Sequence, residues 1–422
     1  MPLVVQKFGG TSVGSPERIR AVARRVARAR ARGDDLVVVV SAMGHTTDEL
    51  TELAAQVTGL ERAGSRHPRE MDMLLTAGER IAAALLTMAI AEEGAEARSF
   101  TGSQAAIITD GQHTAARIRE IRGDRVREAL AEGRVAIVAG FQGVSTGREI
   151  TTLGRGGSDT SAVALAAALR ADRCEIFTDV DGVYTADPRR VPGARVIREI
   201  SHAEMLEMAS AGAQVMHARA VDIGARFGVD IRVLSSFSDD DTPSGTLITS
   251  MPRAMEDLVL TGLASSGSHA KVILRGLPAG MATSTELLGA LADGGVSVDM
   301  VAESIEAQGT MQVQLTVAAD VLDRAREIVG EVIARLGSGT VEARDGLTRI
   351  TLVGSGMTGR PGVYARAYRT LHAAGVEVHG VSTSSISISL LVAAEHEDGS
   401  LRALHDAFAL EMAGEAEHVA ER

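Results

Sequence analysis

The chain has 422 residues, enough for about three domains and a sizeable core. Apolar residues make up 45% and charged residues 23%, which excludes wholesale disorder and fibrous repeats, while only 2% aromatics and no tryptophan imply an aliphatic core without stacking platforms for bases or glycans. A net charge of −12 excludes general binding to nucleic acid or anionic membranes, but not a local phosphate site.

In chain order, Leu3 to Gln6 reads as a short strand ending at Gly9-Gly10. Ser15-Pro16-Glu17, a cap followed by a first-turn proline and acid, opens an arginine-rich helix towards Ala31. Leu36 to Val40 suits a strand buried on both faces, as in parallel sheets. Ala77 to Glu92 is helical and a buried strand follows Arg134. Ser158 to Leu169 is a helix capped by Ser158 or Asp159, and Glu175 to Val180 is a strand. This alternation predicts an α/β layer fold with a largely parallel sheet. The longest uncharged apolar run, Ile81 to Ala91, is too short to span a bilayer. Lone Cys174 excludes an intrachain disulfide and fits a reducing cytosol. With no charged segment leading into a long apolar one at the N-terminus, the expected location is cytoplasmic.

A polar, turn-rich stretch from Asp239 to Gly245, with Met251-Pro252-Arg253, predicts a linker. Beyond it Leu291 to Val301 aligns with Leu371 to Val381 at a spacing of 80, each followed by an alternating strand, Met311 to Val317 and Ile386 to Val392. Each copy reads β-α-β-β-α-β, a ferredoxin-like module suited to ligand sensing. The expected domains are 1–248, catalytic; 249–263, linker; and 264–342 and 343–422, the two modules.

Positive charge comes from 41 arginines and two lysines, Lys7 and Lys271, so each lysine marks a place that calls for a compact ammonium. Lys7-Phe8-Gly9-Gly10-Thr11-Ser12 joins a lysine to glycines that let backbone N–H groups approach a polyphosphate, with two hydroxyls beside them. Leu153-Gly154-Arg155-Gly156-Gly157-Ser158-Asp159 feeds a helix N-terminus. There Arg155 can grip a carboxylate, Ser158 suits an anion, and Asp159 reads as a cap or a site group. Thr178 to Arg189 is an acidic loop after a buried strand, where open α/β sheets bind nucleotides. Glu79 alone reads as an exposed first-turn acid. His202 and His217 are isolated, and no Cys/His spacing suggests a metal. Lys271 reads as a solvated strand end.

QKFGGTSVGS (6–15), VVSAMGHTTDEL (39–50), MDMLLTAGER (71–80), SFTGSQAAIIT (99–109), TTLGRGGSDTSAVALAAAL (151–169) and FTDVDGVYTADPR (177–189) together resemble the aspartate kinases, and the two C-terminal modules resemble that family's ACT domains. The resemblance implies a three-layer amino-acid kinase domain followed by two ACT domains. It implies transfer of a phosphoryl group from ATP, with Mg2+, to the side-chain carboxylate of L-aspartate, the first step towards lysine, threonine and methionine. A carboxylate is already ionised at neutral pH, so no general base is needed and catalysis reduces to alignment and charge neutralisation. By the same resemblance Lys7 and Asp159 are catalytic. Lys7, Phe8, Gly9, Gly10, Thr178, Asp179, Tyr184, Asp187 and Arg189 meet ATP, while Ser41, Thr47, Glu79, Arg155 and Ser158 meet the substrate. Arg155 is expected on its α-carboxylate and Glu79 on its ammonium.

The regulatory half departs from the pattern. Ala279-Gly280-Met281-Ala282 replaces an Asp-Lys-Pro-Gly turn and Glu303-Ser304 a Gln-Asn pair. Ser382, Thr383 and Ser384 are kept, but Ser385 and Ser387 replace a Glu and an Arg, while the Arg360-Pro361-Gly362 turn survives. Lysine and threonine are the expected effectors, with Ala279, Met281, Glu303, Ser304, Ser382, Thr383 and Ser385 as allosteric positions. The lost polar groups predict weakened or altered feedback, unless compensating residues rebuild the pocket. A homo-oligomer through the ACT domains is expected, or a heterotetramer if an internal start at Met251 or Met255 supplies a regulatory chain. A related acidic substrate and a non-catalytic sensor are the alternatives.

Overall fold

The computed structural model describes residues 1–412 except 61–62, 239–243, 253–258, 307–308, 358–359 and 361. Most of the polar linker stretch, Arg253, Met255 and Pro361 therefore lie outside the described residues. The chain divides into two compact units, Met1–Thr185 with Val196–Asp257, and Ala186–Arg195 with Leu258–Ala413.

In the first unit the strands are β1 (Leu3–Phe8), β2 (Asp35–Val40), β3 (Ala97–Phe100), β4 (Ile107–Thr109), β5 (Ile118–Ile121), β6 (Val135–Ala139), β7 (Gln142–Ser145), β8 (Ile150–Thr152), β9 (Arg173–Thr178), β10 (Glu199–Ser201), β11 (Ile231–Ser235) and β12 (Gly245–Thr249). Its helices are α1 (Pro16–Ala31), α2 (Thr46–Thr58), α3 (Ala63–Arg66), α4 (Pro68–Glu92), α5 (Asp124–Ala131), α6 (Gly157–Leu169), α7 (His202–Ser210) and α8 (Ala218–Phe227). Eight strands form one sheet in the order β10-β12-β11-β9-β1-β2-β6-β3, parallel except where β12 runs against β11. Strands β4, β5, β7 and β8 form a second, small sheet.

Leu36 to Val40 are fully buried, as a central strand covered on both faces requires. Ser15 caps α1 as its sequence predicts, its Oγ accepting the Arg18 N–H at 3.3 Å. The α4 helix is long and apolar enough to cross a bilayer, but here it is a core helix. Its Ala82, Ala83, Leu86 and Ile90 pack with Ile19, Val22 and Val26 of α1 and with Val38 and Val40 of β2. Cys174 is buried in β9, and burial pushes its thiol far above the usual range, so it is core rather than reactive.

The second unit contains β13 (Gly262–Pro278), α9 (Met281–Asp293), β14 (Val301–Ile305), β15 (Thr310–Ala318), α10 (Leu322–Leu336), β16 (Thr340–Val353), α11 (Val363–Ala373), β17 (Gly380–Thr383), β18 (Ser387–Ala393) and α12 (Glu397–Ala407). They build one six-stranded antiparallel sheet, β14-β15-β13-β16-β18-β17. The repeat expected from sequence is present, but its copies are not two self-contained stretches. β13 pairs with β16 along almost its whole length. The first copy takes its fourth strand from the start of β16. The second takes its fourth from Gly262 to Ser266, which precede the first copy in the chain.

Ala186 and Val191 join the core of this unit with Leu260, Leu352 and Leu404, and Arg190 pairs with Glu397 at 2.7 Å. Residues Ala186–Arg195, which the expected boundary at 248 places in the first domain, group with the second compact unit. Lys271 corrects another expectation. It lies within β13, half-buried, and its Nζ donates to the His379 carbonyl at 2.5 Å. Burial, with Arg275 and Arg344 nearby, lowers its pKa.

Candidate active site

Because β6, β2, β1 and β9 are adjacent and parallel, their C-terminal ends open on one edge of the sheet, the usual place for a ligand in such folds. A cleft of about 280 Å³ lies there, lined by Lys7, Gly10, Ser41, Ala42, Gly44, Thr47, Glu79, Phe141, Gly154, Arg155, Gly156, Gly157, Ser158 and Asp159. Eight of the residues assigned to the site from sequence thus come together from four separate stretches of chain.

Lys7 Nζ lies 2.6 Å from Asp159 Oδ1, and both side chains are largely buried. Asp159 is not the helix cap, and neither is Ser158. Helix α6 starts at Gly157, and its N-cap is Gly156 in the left-handed conformation, with no side-chain cap. The carboxylate is thereby free to hold the ammonium in place. Gly156 has φ +69°, and a Cβ there would stand 2.3 Å from His217, so both conformation and space demand glycine. His217 is not an isolated histidine but the N-cap of α8, its ring accepting the Arg219 N–H at 3.4 Å. His202 is buried, with Nε2 2.9 Å from the Val229 carbonyl.

Glu79 also departs from its bland reading. Helix α4 begins at Pro68, so Glu79 is in mid-helix and only 3% exposed. Gly78 makes this placement attainable, since a Cβ there would lie 2.7 Å from that of Ala42. The helix consequently rests on the loop after β2. Glu79 Oε1 accepts the Ala42 N–H at 3.1 Å, whereas Oε2 is buried without a hydrogen-bond partner among the described residues. Burial pushes this carboxyl up to about 7, against the lowering effect of its backbone hydrogen bonds. Ser12 Oγ is likewise buried and unpartnered, close to the Gly9 backbone. A buried polar atom left unpaired in a cleft, as Glu79 Oε2 is, can be satisfied there by water or by a ligand. Arg155 is exposed at the rim, with no ion pair among the described residues.

The remaining nucleotide-side expectations lie outside this cleft. Phe8 is fully buried and stacks on Phe177 with ring centroids 4.7 Å apart. Gly9 donates to the Phe177 carbonyl at 3.3 Å. Thr178 ends β9 and its hydroxyl donates to Asp179 at 3.1 Å, while the Tyr184 hydroxyl reaches Asp181 at 3.4 Å. Asp187 and Arg189 belong to the second unit and pair with each other at 2.8 Å. Among the expected effector positions, Met281, Glu303, Ser304, Ser382, Thr383 and Ser385 are exposed and Ala279 is partly buried. Two of these groups sit on the sheet's edge strands, β14 and β17. Sequence reading missed Gly44, whose only signal was the glycine in GHTTDEL. It also missed Phe141, which has φ +66° and gave no signal at all.

The amino acid kinase family model matches residues 2–235, and an ACT domain model matches 350–408. The aspartokinase of Mycolicibacterium smegmatis is 48% identical over 97% of both chains, and that of Corynebacterium glutamicum 47% identical over 99% of this chain and 98% of its own. The chain belongs to the aspartokinase family. Its activity is the ATP-dependent phosphorylation of aspartate, and its ACT-type region is regulatory. Among solved aspartokinases, the E. coli enzyme III in complex with aspartate and ADP, in its R-state, superposes with a TM-score of 0.78 at 26% identity, covering 96% of this chain and 99% of that one. The same enzyme in complex with lysine and aspartate, in its T-state, gives 0.72 over the same shares.

Proposed function

We propose that the cleft holds aspartate by both ends of its amino-acid moiety, the ammonium on Glu79 and the α-carboxylate on Arg155, and presents the side-chain carboxylate to ATP beside Lys7. The observation that carries this reading is the buried Glu79 oxygen that has no partner among the described residues, in the same cleft as Arg155, which has no ion pair among them, and the Lys7–Asp159 pair. Ser41, Thr47 and Ser158 supply neutral hydrogen-bonding groups. An oxygen of the β-carboxylate attacks the γ-phosphorus, and the bond to the leaving ADP oxygen breaks with its electron pair. No proton moves, because the nucleophile is already an anion. Lys7 lowers the barrier by meeting negative charge on the phosphoryl oxygens, and Asp159 keeps its ammonium aimed there. Gly9 and Gly10 allow the phosphates to approach the backbone. Thr178, Asp179 and Tyr184 are assigned to the nucleotide.

Mg2+ fits the donor set, since it takes one or two carboxylates besides phosphate oxygens, and Asp159 is an oxygen donor lining the cleft. When bound, it neutralises phosphate charge. Lysine and threonine are the proposed effectors, with feedback weakened by the exchanges at Ala279, Met281, Glu303, Ser304 and Ser385. The proposed assembly is a homodimer through the ACT-type sheet, in the cytoplasm.

The test is ATP-dependent acyl-phosphate formation with aspartate, glutamate and N-acetylglutamate as acceptors. Aspartate alone turns over efficiently. Lys7→Ala lowers kcat by on the order of a thousandfold, and an equally active Lys7→Ala would sink the assignment.

A further inference from the structure

Asp72 does not line the cleft, yet its side chain is wholly buried on α4. A carboxylate taken out of water persists only with dense hydrogen bonding. Here Oδ1 accepts the Thr152 hydroxyl at 2.5 Å and the Thr114 N–H at 3.0 Å, and Oδ2 lies 2.6 Å from His113 Nδ1. Thr152 ends β8 directly before Leu153-Gly154-Arg155. Thr114 has φ +65°, a left-handed conformation unusual for a β-branched residue, and its carbonyl would stand 3.0 Å from a Cβ on Gly154. Arg219 cross-links the same two segments, donating to the Leu153 carbonyl at 2.9 Å and to that of Ala116 at 2.8 Å. Asp72 therefore clamps a strained turn against the loop that carries Arg155. Glu79 lies seven residues further along the same helix, two turns and about 10 Å, on the same face. Midway, the Thr76 carbonyl accepts Gln142 Nε2 at 3.2 Å, which ties the helix to β7.

We propose that Asp72 is a positioning residue for the substrate: through the Thr114 and Thr152 bonds it fixes the Arg155 loop relative to Glu79 on one rigid helix. Glu79 and Arg155 grip the α-amino-acid head, which is the same in a four-carbon amino dicarboxylate and its five-carbon homologue. Selectivity therefore comes from holding that head at a fixed place relative to Lys7, so that the side-chain carboxylate of the shorter acid meets the phosphoryl group and that of the longer is misplaced. This rests on the assignment of Glu79 and Arg155 to the ammonium and α-carboxylate of the substrate.

The test is steady-state kinetics of Asp72→Asn, which keeps the shape but puts an NH2 where one acceptor oxygen was. The expected result is a KM for aspartate raised about tenfold or more and an aspartate-over-glutamate preference in kcat/KM reduced about tenfold. The KM for MgATP and the kcat at saturating aspartate stay within about twofold. Thr152→Val removes one of the bonds at nearly constant volume and carries the test if Asp72→Asn does not fold; it shifts the same parameters in the same direction by less. An unchanged KM for aspartate, or a fall in kcat alone, overturns the proposal. Arg155→Gln and Glu79→Gln separate the two levels. If they leave the aspartate KM unchanged, the substrate assignment fails and the inference with it. If they raise it while the Asp72 and Thr152 variants do not, only the inference fails.

Discussion

Glu79 is a carboxyl whose burial makes its ionisation costly before substrate arrives. Its folded-state pKa of about 7 lies above the usual 4.5, so the protonated form is favoured by folding. The stability this confers is fully present below about pH 4.5 and is lost as pH rises through 7, by on the order of 3 kcal/mol. Glu79→Gln removes that slope: the variant gains stability over the parent at pH 8 but not at pH 4.5, as urea unfolding at the two pH values measures. The same ionisation governs binding. Aspartate's ammonium needs the carboxylate form, so kcat/KM for aspartate falls about tenfold per pH unit below 7, while a flat profile between pH 5 and 7 contradicts the pairing. Lys7 is a second residue whose chemistry is specific. A guanidinium is larger and planar, so Lys7→Arg keeps the positive charge but loses at least a hundredfold in kcat.

At the scale of elements, α4 organises the substrate side of the cleft by resting on the Ala42 loop through Gly78. Alanine is the better helix former by about 1 kcal/mol. Here, however, its Cβ would meet that of Ala42 at 2.7 Å, where neither atom can give way. Gly78→Ala is therefore expected to lower the melting temperature and raise the KM for aspartate, and a stabilised variant with unchanged KM would contradict that contact.

Much of this architecture is legible in sequence. The Ser15 cap, the buried strand Leu36 to Val40 and the glycine-rich turn before α6 each carry a local signal that tertiary structure keeps. The β14–β15 and β17–β18 pairs follow from the repeat. Asp72 was not legible, because a buried acid on a helix reads like a surface one until the strands packed against it are known. Nor was the start of α4 at Pro68, since Pro68 to Thr76 lacks the alanine-rich signature of its continuation. The Asp159 cap misled because an aspartate in the first turn ordinarily satisfies backbone amides, whereas here the ammonium of Lys7, far away in sequence, takes it.

Across the whole molecule, the two lysines have parted roles. Lys7 faces the cleft, and Lys271 ties the middle of β13 to the chain just before β17, within a sheet where each repeat completes the other. A strand shared in this way survives changes at exposed effector positions, so pairing and regulation are separable. Lysine and threonine, alone or together, are expected to inhibit this enzyme only weakly below millimolar concentration, as initial rates report, and strong synergistic inhibition would contradict the altered pocket.

The central claim, that aspartate spans Glu79 and Arg155 in front of Lys7, is tested most directly by the aspartate KM of Arg155→Gln measured beside its MgATP KM. The account predicts a rise of about a hundredfold in the first and none beyond twofold in the second. An unchanged aspartate KM, or an equal rise in both, would contradict it.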